Sequence, residues 1–242
     1  MTLFGLQKTT LIDYPGLVSA TIFTRGCNLR CPYCHNPELV YKENTEQLYN
    51  KEDIFDFIIK RKNVLGGICI SGGEPLLCPD IRSIIDFIHT MGLKVKIDTN
   101  GTMPDLLKKL KVDYIAMDIK TIPEKYSLLV RDTKNIDSEK IKESIRWIIS
   151  SGIQHEFRTT VASDIVSTSD MKTILSYVSG AERYCLNQFR PENTLDPAYM
   201  KKPSTSIDVL NEMKKLIEGT GVPCLIRYSE GRKKIKTPVS IS

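Results

Sequence analysis

Three histidines and one tryptophan in 242 residues are little to build on. Other absences exclude more. No run reaches the roughly 18 apolar residues that a membrane-spanning helix needs, so no membrane partner is expected. The start, MTLFGLQKTTLIDYPG, lacks the charged-then-apolar order of a signal segment, which points to a cytoplasmic protein. No internal repeat and no low-complexity linker divides the chain. Charge of one sign is also missing: 34 basic residues face 29 acidic ones, a net charge of +5. The basic residues are spread out, apart from a cluster at Arg232–Lys236 that reads as a solvated tail, so no nucleic-acid partner is expected. Seven cysteines are present, and in a reducing compartment they argue for metal or redox chemistry rather than disulfides.

The length suits one α/β domain with a full core, spanning residues 1–242. Short apolar runs recur at Leu17–Phe23, Gly67–Ile70, Lys94–Asp98, Tyr114–Asp118, His155–Val161 and Arg183–Phe189, with a possible seventh at Pro223–Tyr228. They are rich in Ile and Val, as buried strands are. Helical spacing fills the gaps: Lys51–Lys62, Pro79–Gly92, Asp137–Gly152, Met171–Ser179 and Ser206–Glu218. Trp147 falls inside one of these and reads as helix packing. Strands alternating with helices imply parallel β/α units, arranged as an open doubly wound sheet or a partial barrel.

Special residues gather where the runs end. RGCNLRCPYCHNPE follows the first, SGGEP (Ser71–Pro75) the second, DTNG (Asp98–Gly101) the third and MDIK (Met117–Lys120) the fourth. Arg158 lies in the fifth, and QFRPE (Gln188–Glu192) ends the sixth. Such strand ends are where α/β proteins build their sites.

Cys27, Cys31 and Cys34 crowd one loop, with His35 next. A zinc site of three Cys and one His is one reading, but adjacent residues seldom bend back onto one metal, and no second cysteine pair is present. A two-thiol redox motif is another. The third is an iron–sulfur cluster on three thiolates, one short of the usual four, which leaves an iron open for chemistry. Cys69, Cys185 and Cys224 sit in strand-like runs and read as buried apolar residues, and Cys78 lies in a loop. His89 reads as a helix-surface residue and His155 as a strand start.

The spacing Cys27-x3-Cys31-x2-Cys34, with Tyr33 as the aromatic before the last cysteine, resembles the motif of the radical S-adenosylmethionine (SAM) superfamily. SGGEP resembles that family's glycine-rich segment facing the methionine part of SAM: Gly72 and Gly73 would let the backbone approach a ligand, and Glu74 would face an ammonium. Ile12–Glu38 is similar to the glycyl-radical-enzyme activating family, with Tyr14 where a glycine is usual. Within it the chain most resembles the activating proteins of anaerobic ribonucleoside-triphosphate reductases.

The resemblance implies a partial TIM barrel, (β/α)6, with a core at about 15–192, a C-terminal extension at about 193–242, and the site at the C-terminal strand ends. It implies one [4Fe-4S] cluster on Cys27, Cys31 and Cys34, with SAM filling the open iron. One electron would cleave SAM to methionine and a 5′-deoxyadenosyl radical. That radical would take hydrogen from a glycine of a partner, an anaerobic ribonucleotide reductase, with a flavodoxin- or ferredoxin-type electron donor. Tyr33, His35, Gly72, Gly73, Glu74, Asp98, Asn100, Asp118, Lys120, Arg158 and Arg190 are the implied SAM-site residues. Arg190 stands where the family has a histidine. Asp98, Thr99 and Asp118 match residues that hold a monovalent cation. Alternatives are a radical SAM enzyme acting on a small molecule or peptide, such as a deazapurine-forming one, and a non-catalytic iron–sulfur or zinc protein.

Overall fold

A computed structural model describes residues 2–41, 48–130 and 136–228. The basic cluster at 232–236 lies outside them. Among the described residues eight strands form one sheet: β1 (Gly5–Thr10), β2 (Ser19–Thr24), β3 (Gly67–Gly72), β4 (Lys94–Thr99), β5 (Tyr114–Asp118), β6 (Gln154–Val161), β7 (Tyr184–Gln188) and β8 (Cys224–Arg227). Their spatial order is their sequence order, β1 to β8, and β1 does not pair with β8. A doubly wound sheet would reverse direction at a switch point. A monotonic order that does not close is a partial barrel. The strands β2 to β7 carry the six expected β/α units, and all neighbours from β2 onward pair in parallel. At one edge the antiparallel β1 is added, pairing Leu6 with Ile22, and the sequence reading missed it. At the other, β8 realises the seventh run.

The helices are α1 (Pro37–Tyr41), α2 (Lys51–Arg61), α3 (Ile81–Thr90), α4 (Pro104–Leu107), α5 (Ser138–Ser150), α6 (Thr168–Tyr177) and α7 (Ile207–Glu218). Local chemistry sets their starts. Asn50 and Asp53 form a reciprocal capping box on α2, as do Ser167 and Asp170 on α6. The second box begins α6 three residues before the expected Met171. Asp137 caps α5 by accepting from the Glu139 amide. The short α1 and α4 were not foreseen.

Two faces of the sheet bury different chemistry. Ile68, Ile70, Val95, Ile97, Ile115, Met117, Phe157 and Leu186 are fully buried in one core with the helices, where Ile84, Ile85 and Ile88 of α3 meet them. The opposite face lines the barrel and is largely polar. Its strand-start end is plugged by Tyr14, Tyr114 and Ala116, with the two rings 5.9 Å apart. Tyr14, at the position where a glycine was the expected pattern, is therefore a plug. A Cβ on Gly67 would lie 2.9 Å from its ring.

Candidate active site

The C-terminal ends of β2 to β6 surround one cavity. Cys27, Cys31, Tyr33, Cys34, His35, Gly72, Gly73, Asp98, Thr99, Asn100, Asp118, Lys120 and Arg158 line it. Thus five separate strand ends bring their expected residues together. Glu74 and Arg190 are not in the lining. Ser71, Asn36 and Thr160, which sequence reasoning passed over, are.

The cysteine loop is fixed at its entry by the SGGEP turn. The Gly73 amide donates to Thr24 O at 3.0 Å, and the Glu74 amide to Gly26 O at 2.9 Å. No side chain fits between these strands of backbone. A Cβ on Gly72 would stand 2.3 Å from Thr24 O, and one on Gly73 2.0 Å from Gly26 O. Gly72 also has φ +118, a left-handed conformation that glycine alone adopts readily. The two glycines admit the cysteine loop's own backbone as well as facing the cavity.

Glu74 is fully buried and binds loops to one another. Its Oε1 accepts from Leu76 N at 3.1 Å and Thr99 Oγ1 at 2.8 Å, and its Oε2 from Asn100 N at 2.7 Å. Burial pushes its carboxyl up from 4.5 to about 7, with these three donors opposing the rise. The folded chain therefore holds a proton here that the unfolded chain releases, and stability falls as pH rises from 4.5 to about 7. The shift corresponds to about 3 kcal/mol. We expect Glu74→Gln to flatten that part of a urea-denaturation profile against pH measured on the protein free of iron.

A chain of opposite charges crosses the wall. Arg158 donates from Nε to Asp118 Oδ1 at 2.6 Å and from Nη1 to Asp98 Oδ2 at 3.2 Å. Lys120 Nζ reaches Asp118 Oδ2 at 2.8 Å, and Lys96 Nζ meets Asp98 Oδ1. Ser71 Oγ donates to Asp98 Oδ2 at 3.1 Å. Burial is the largest influence and would raise both carboxyls, but Arg158 together with Lys96 at Asp98, and with Lys120 at Asp118, outweighs it and holds both below the usual range. These aspartates therefore stabilise the fold above their ordinary pKa and lose that contribution as pH falls below it. Lys96, read in the sequence only as part of an apolar run, is 1% exposed and is the cation that sequence reasoning missed. The signal was its position two residues before Asp98 on the same strand face.

Burial raises all three site thiols, Cys31 to about 12, while Lys120 pulls each back. Neutral thiols in an apolar wall become good ligands when a metal displaces their protons. Among the described residues no three His, Cys, Asp or Glu side chains converge where one ion could sit. Asn100 Nδ2 lies 3.9 Å from Cys27 Sγ and 2.9 Å from Asn28 Oδ1. Tyr33 is 3% exposed, and its hydroxyl has no partner among the described residues. Three thiols, glycine backbone and paired charges in one cavity fit an iron–sulfur cluster beside a zwitterionic ligand.

His35 Nδ1 bonds Glu192 O at 2.8 Å. Burial and then the Arg190 charge lower its pKa, against the pull of that bond.

No helix among the described residues is long and apolar enough to cross a membrane. Residues 21–176 match the family model described as the radical SAM superfamily. A protein of Methanocaldococcus jannaschii with the provisional name glycyl-radical enzyme activating enzyme is 34% identical over 225 residues, 88% of this chain and 90% of its own. The pyruvate formate-lyase-activating enzyme of Listeria monocytogenes is 37% identical over 139 residues, 50% of this chain and 54% of that one. The chain thus spans about half the length of that relative. Among solved structures, SuiB of Streptococcus suis bound to S-adenosylmethionine superposes with a TM-score of 0.61 at 14% identity, covering 84% of this chain and 48% of that one. This last likeness shows the fold.

Proposed function

The chain belongs to the radical SAM superfamily, and from that premise we propose that it activates a glycyl-radical enzyme, an anaerobic ribonucleotide reductase. It is a radical SAM oxidoreductase of the glycyl-radical-enzyme activating type, and that family implies both a [4Fe-4S] cluster and SAM. The observation that carries the reading is a three-thiol loop opening onto a cavity with paired charges, with no fourth cysteine among the described lining residues. The cluster, when bound, supplies one electron that splits SAM into methionine and a 5′-deoxyadenosyl radical, which takes a hydrogen atom from a glycine Cα of the partner.

The chain's own residues do the rest. Cys27, Cys31 and Cys34 would hold the cluster. Gly72 and Gly73 offer backbone at close range. Asp98, Asp118, Lys120 and Arg158 present paired charges to an ammonium and a carboxylate. Tyr33, Asn100 and His35 complete the wall, Glu74 holds the β3 and β4 loops together, and the Arg190 charge lowers the pKa of His35. A monovalent cation at Asp98, Thr99 and Asp118 would share oxygens already neutralised by Lys96, Arg158 and Lys120. A flavodoxin- or ferredoxin-type carrier supplies the electron.

Anaerobic reconstitution with iron and sulfide, followed by dithionite and SAM, is expected to yield 5′-deoxyadenosine. Adding the ribonucleotide reductase should give a glycyl radical doublet in electron paramagnetic resonance. A doublet with pyruvate formate-lyase alone would reassign the partner, and no 5′-deoxyadenosine with a loaded cluster would refute the activity.

A further inference from the structure

The half of the cysteine loop that carries Cys34 is held from far along the chain. Leu195 N donates to Cys34 O at 3.0 Å, and Asp196 N to Pro32 O at 2.9 Å. Asn193 Nδ2 donates to His35 O at 3.0 Å, and Glu192 O pairs with the His35 ring. Four bonds thus join residues 192–196 to Pro32–His35, while the entry half of the loop is anchored elsewhere, at Glu74 and at Leu129.

The segment is itself fixed. Tyr199 is 5% exposed, and its hydroxyl and Lys202 Nζ both bind Asp164, with Lys202 also 3.6 Å above the Tyr199 ring. Phe189 packs edge-on to Tyr199 at 5.9 Å and stacks on His35 at 6.2 Å. Asp196 caps the turn Pro197–Lys201 by accepting from Ala198 N at 2.9 Å. At Asn193 the backbone takes φ +46, the only positive value at a non-glycine among the described residues. Asparagine tolerates this conformation better than most side chains. That strained backbone aims the amide at His35 O, although Asn193 is exposed and contributes nothing to the core.

We propose that residues 192–196 are a positioning element for the cluster-holding loop, with Asn193 as its key. They touch neither the three sulfurs nor the cavity, and they set the carbonyls on either side of Cys34 and thereby the direction of its thiol. Partners behind metal ligands commonly matter 10- to 100-fold, as an order of magnitude. The inference rests on the reading that the three cysteines hold a cluster.

The test uses the full chain, reconstituted anaerobically and then challenged with a chelator. The readouts are the loss of visible iron–sulfur absorbance and the electron paramagnetic resonance spectrum of the reduced cluster. Asn193→Asp keeps the shape but removes the donor, and Asn193→Gly keeps the backbone but removes the side chain. Both are expected to bleach about tenfold faster than wild type, with an altered spectrum and an unchanged Tm of the iron-free protein. Leu195→Pro, which deletes the donor to Cys34 O, should bleach faster still. Wild-type bleaching rates in both Asn193 variants would overturn the inference alone. Faster bleaching matched by a lower iron-free Tm would reduce the segment to a structural role and overturn it too. If wild type takes up no cluster, the inference and the functional reading fall together.

Discussion

Cys31→Ala is expected to make no 5′-deoxyadenosine above the level of protein never loaded with iron. The same holds for Cys27→Ala and Cys34→Ala. Each substitution leaves two thiolates for a cluster already one protein ligand short, and two cannot fix a cube against chelation. The fold is expected to survive, because Cys31 is buried as a neutral thiol, Cys27 and Cys34 are only half-buried, and their loop is held by other bonds. Cys69, Cys78, Cys185 and Cys224 serve as controls. They are buried but do not line the cavity. Alanine there costs about 1 kcal/mol of packing and leaves SAM cleavage intact. Measuring bound iron, 5′-deoxyadenosine and Tm across all seven variants separates ligands from core residues. SAM cleavage that persists without Cys31 would remove the basis for the proposed chemistry.

Gly73→Ala is expected to do nearly as much damage without touching a sulfur. Its new Cβ would stand 2.0 Å from Gly26 O and 3.3 Å from Cys27 N. The obstacle is backbone, so no side chain can swing away. Relief requires parting the SGGEP turn from the loop, which breaks the bonds Gly73 N to Thr24 O and Glu74 N to Gly26 O. Overpacking and two lost hydrogen bonds together come to about 3 kcal/mol or more. We expect a lower denaturation midpoint and at least a tenfold faster loss of the cluster, on the order of other disturbed ligand supports. A variant with wild-type stability and cluster retention would show that the two motifs do not depend on each other.

Much of this site was legible because its residues sit at strand ends, and strands announce themselves by short Ile- and Val-rich runs. Cys27, Gly72, Asp98, Asp118 and Arg158 come from five such ends, and the structure brings them to one cavity. What stayed hidden has physical reasons. The edge strand β1, GLQKTT, has one neighbour and exposes Gln7, Lys8 and Thr9, so it carries no buried stripe to detect. Lys96 passed as one member of the apolar run KVKID, but the barrel lining is polar, and Asp98 waits two residues on. Glu74 was matched to a ligand's ammonium, while the fold uses both its oxygens on neighbouring loops. Arg190 drew notice for standing where the family has a histidine. The working contacts of that region are instead main-chain bonds from Leu195 and Asp196, which no side-chain pattern reveals.

The bond between His35 and Glu192 spans 157 positions of sequence. A ribosome releases the cysteine segment early and its distant support late, and domains consolidate as units during synthesis. The emerging polypeptide therefore displays three unbraced thiols well before the stretch that steadies them exists. Iron delivered at that moment meets a floppy chelate, whereas iron delivered after release meets a finished socket. The order of residues in the gene thus favours maturation after translation.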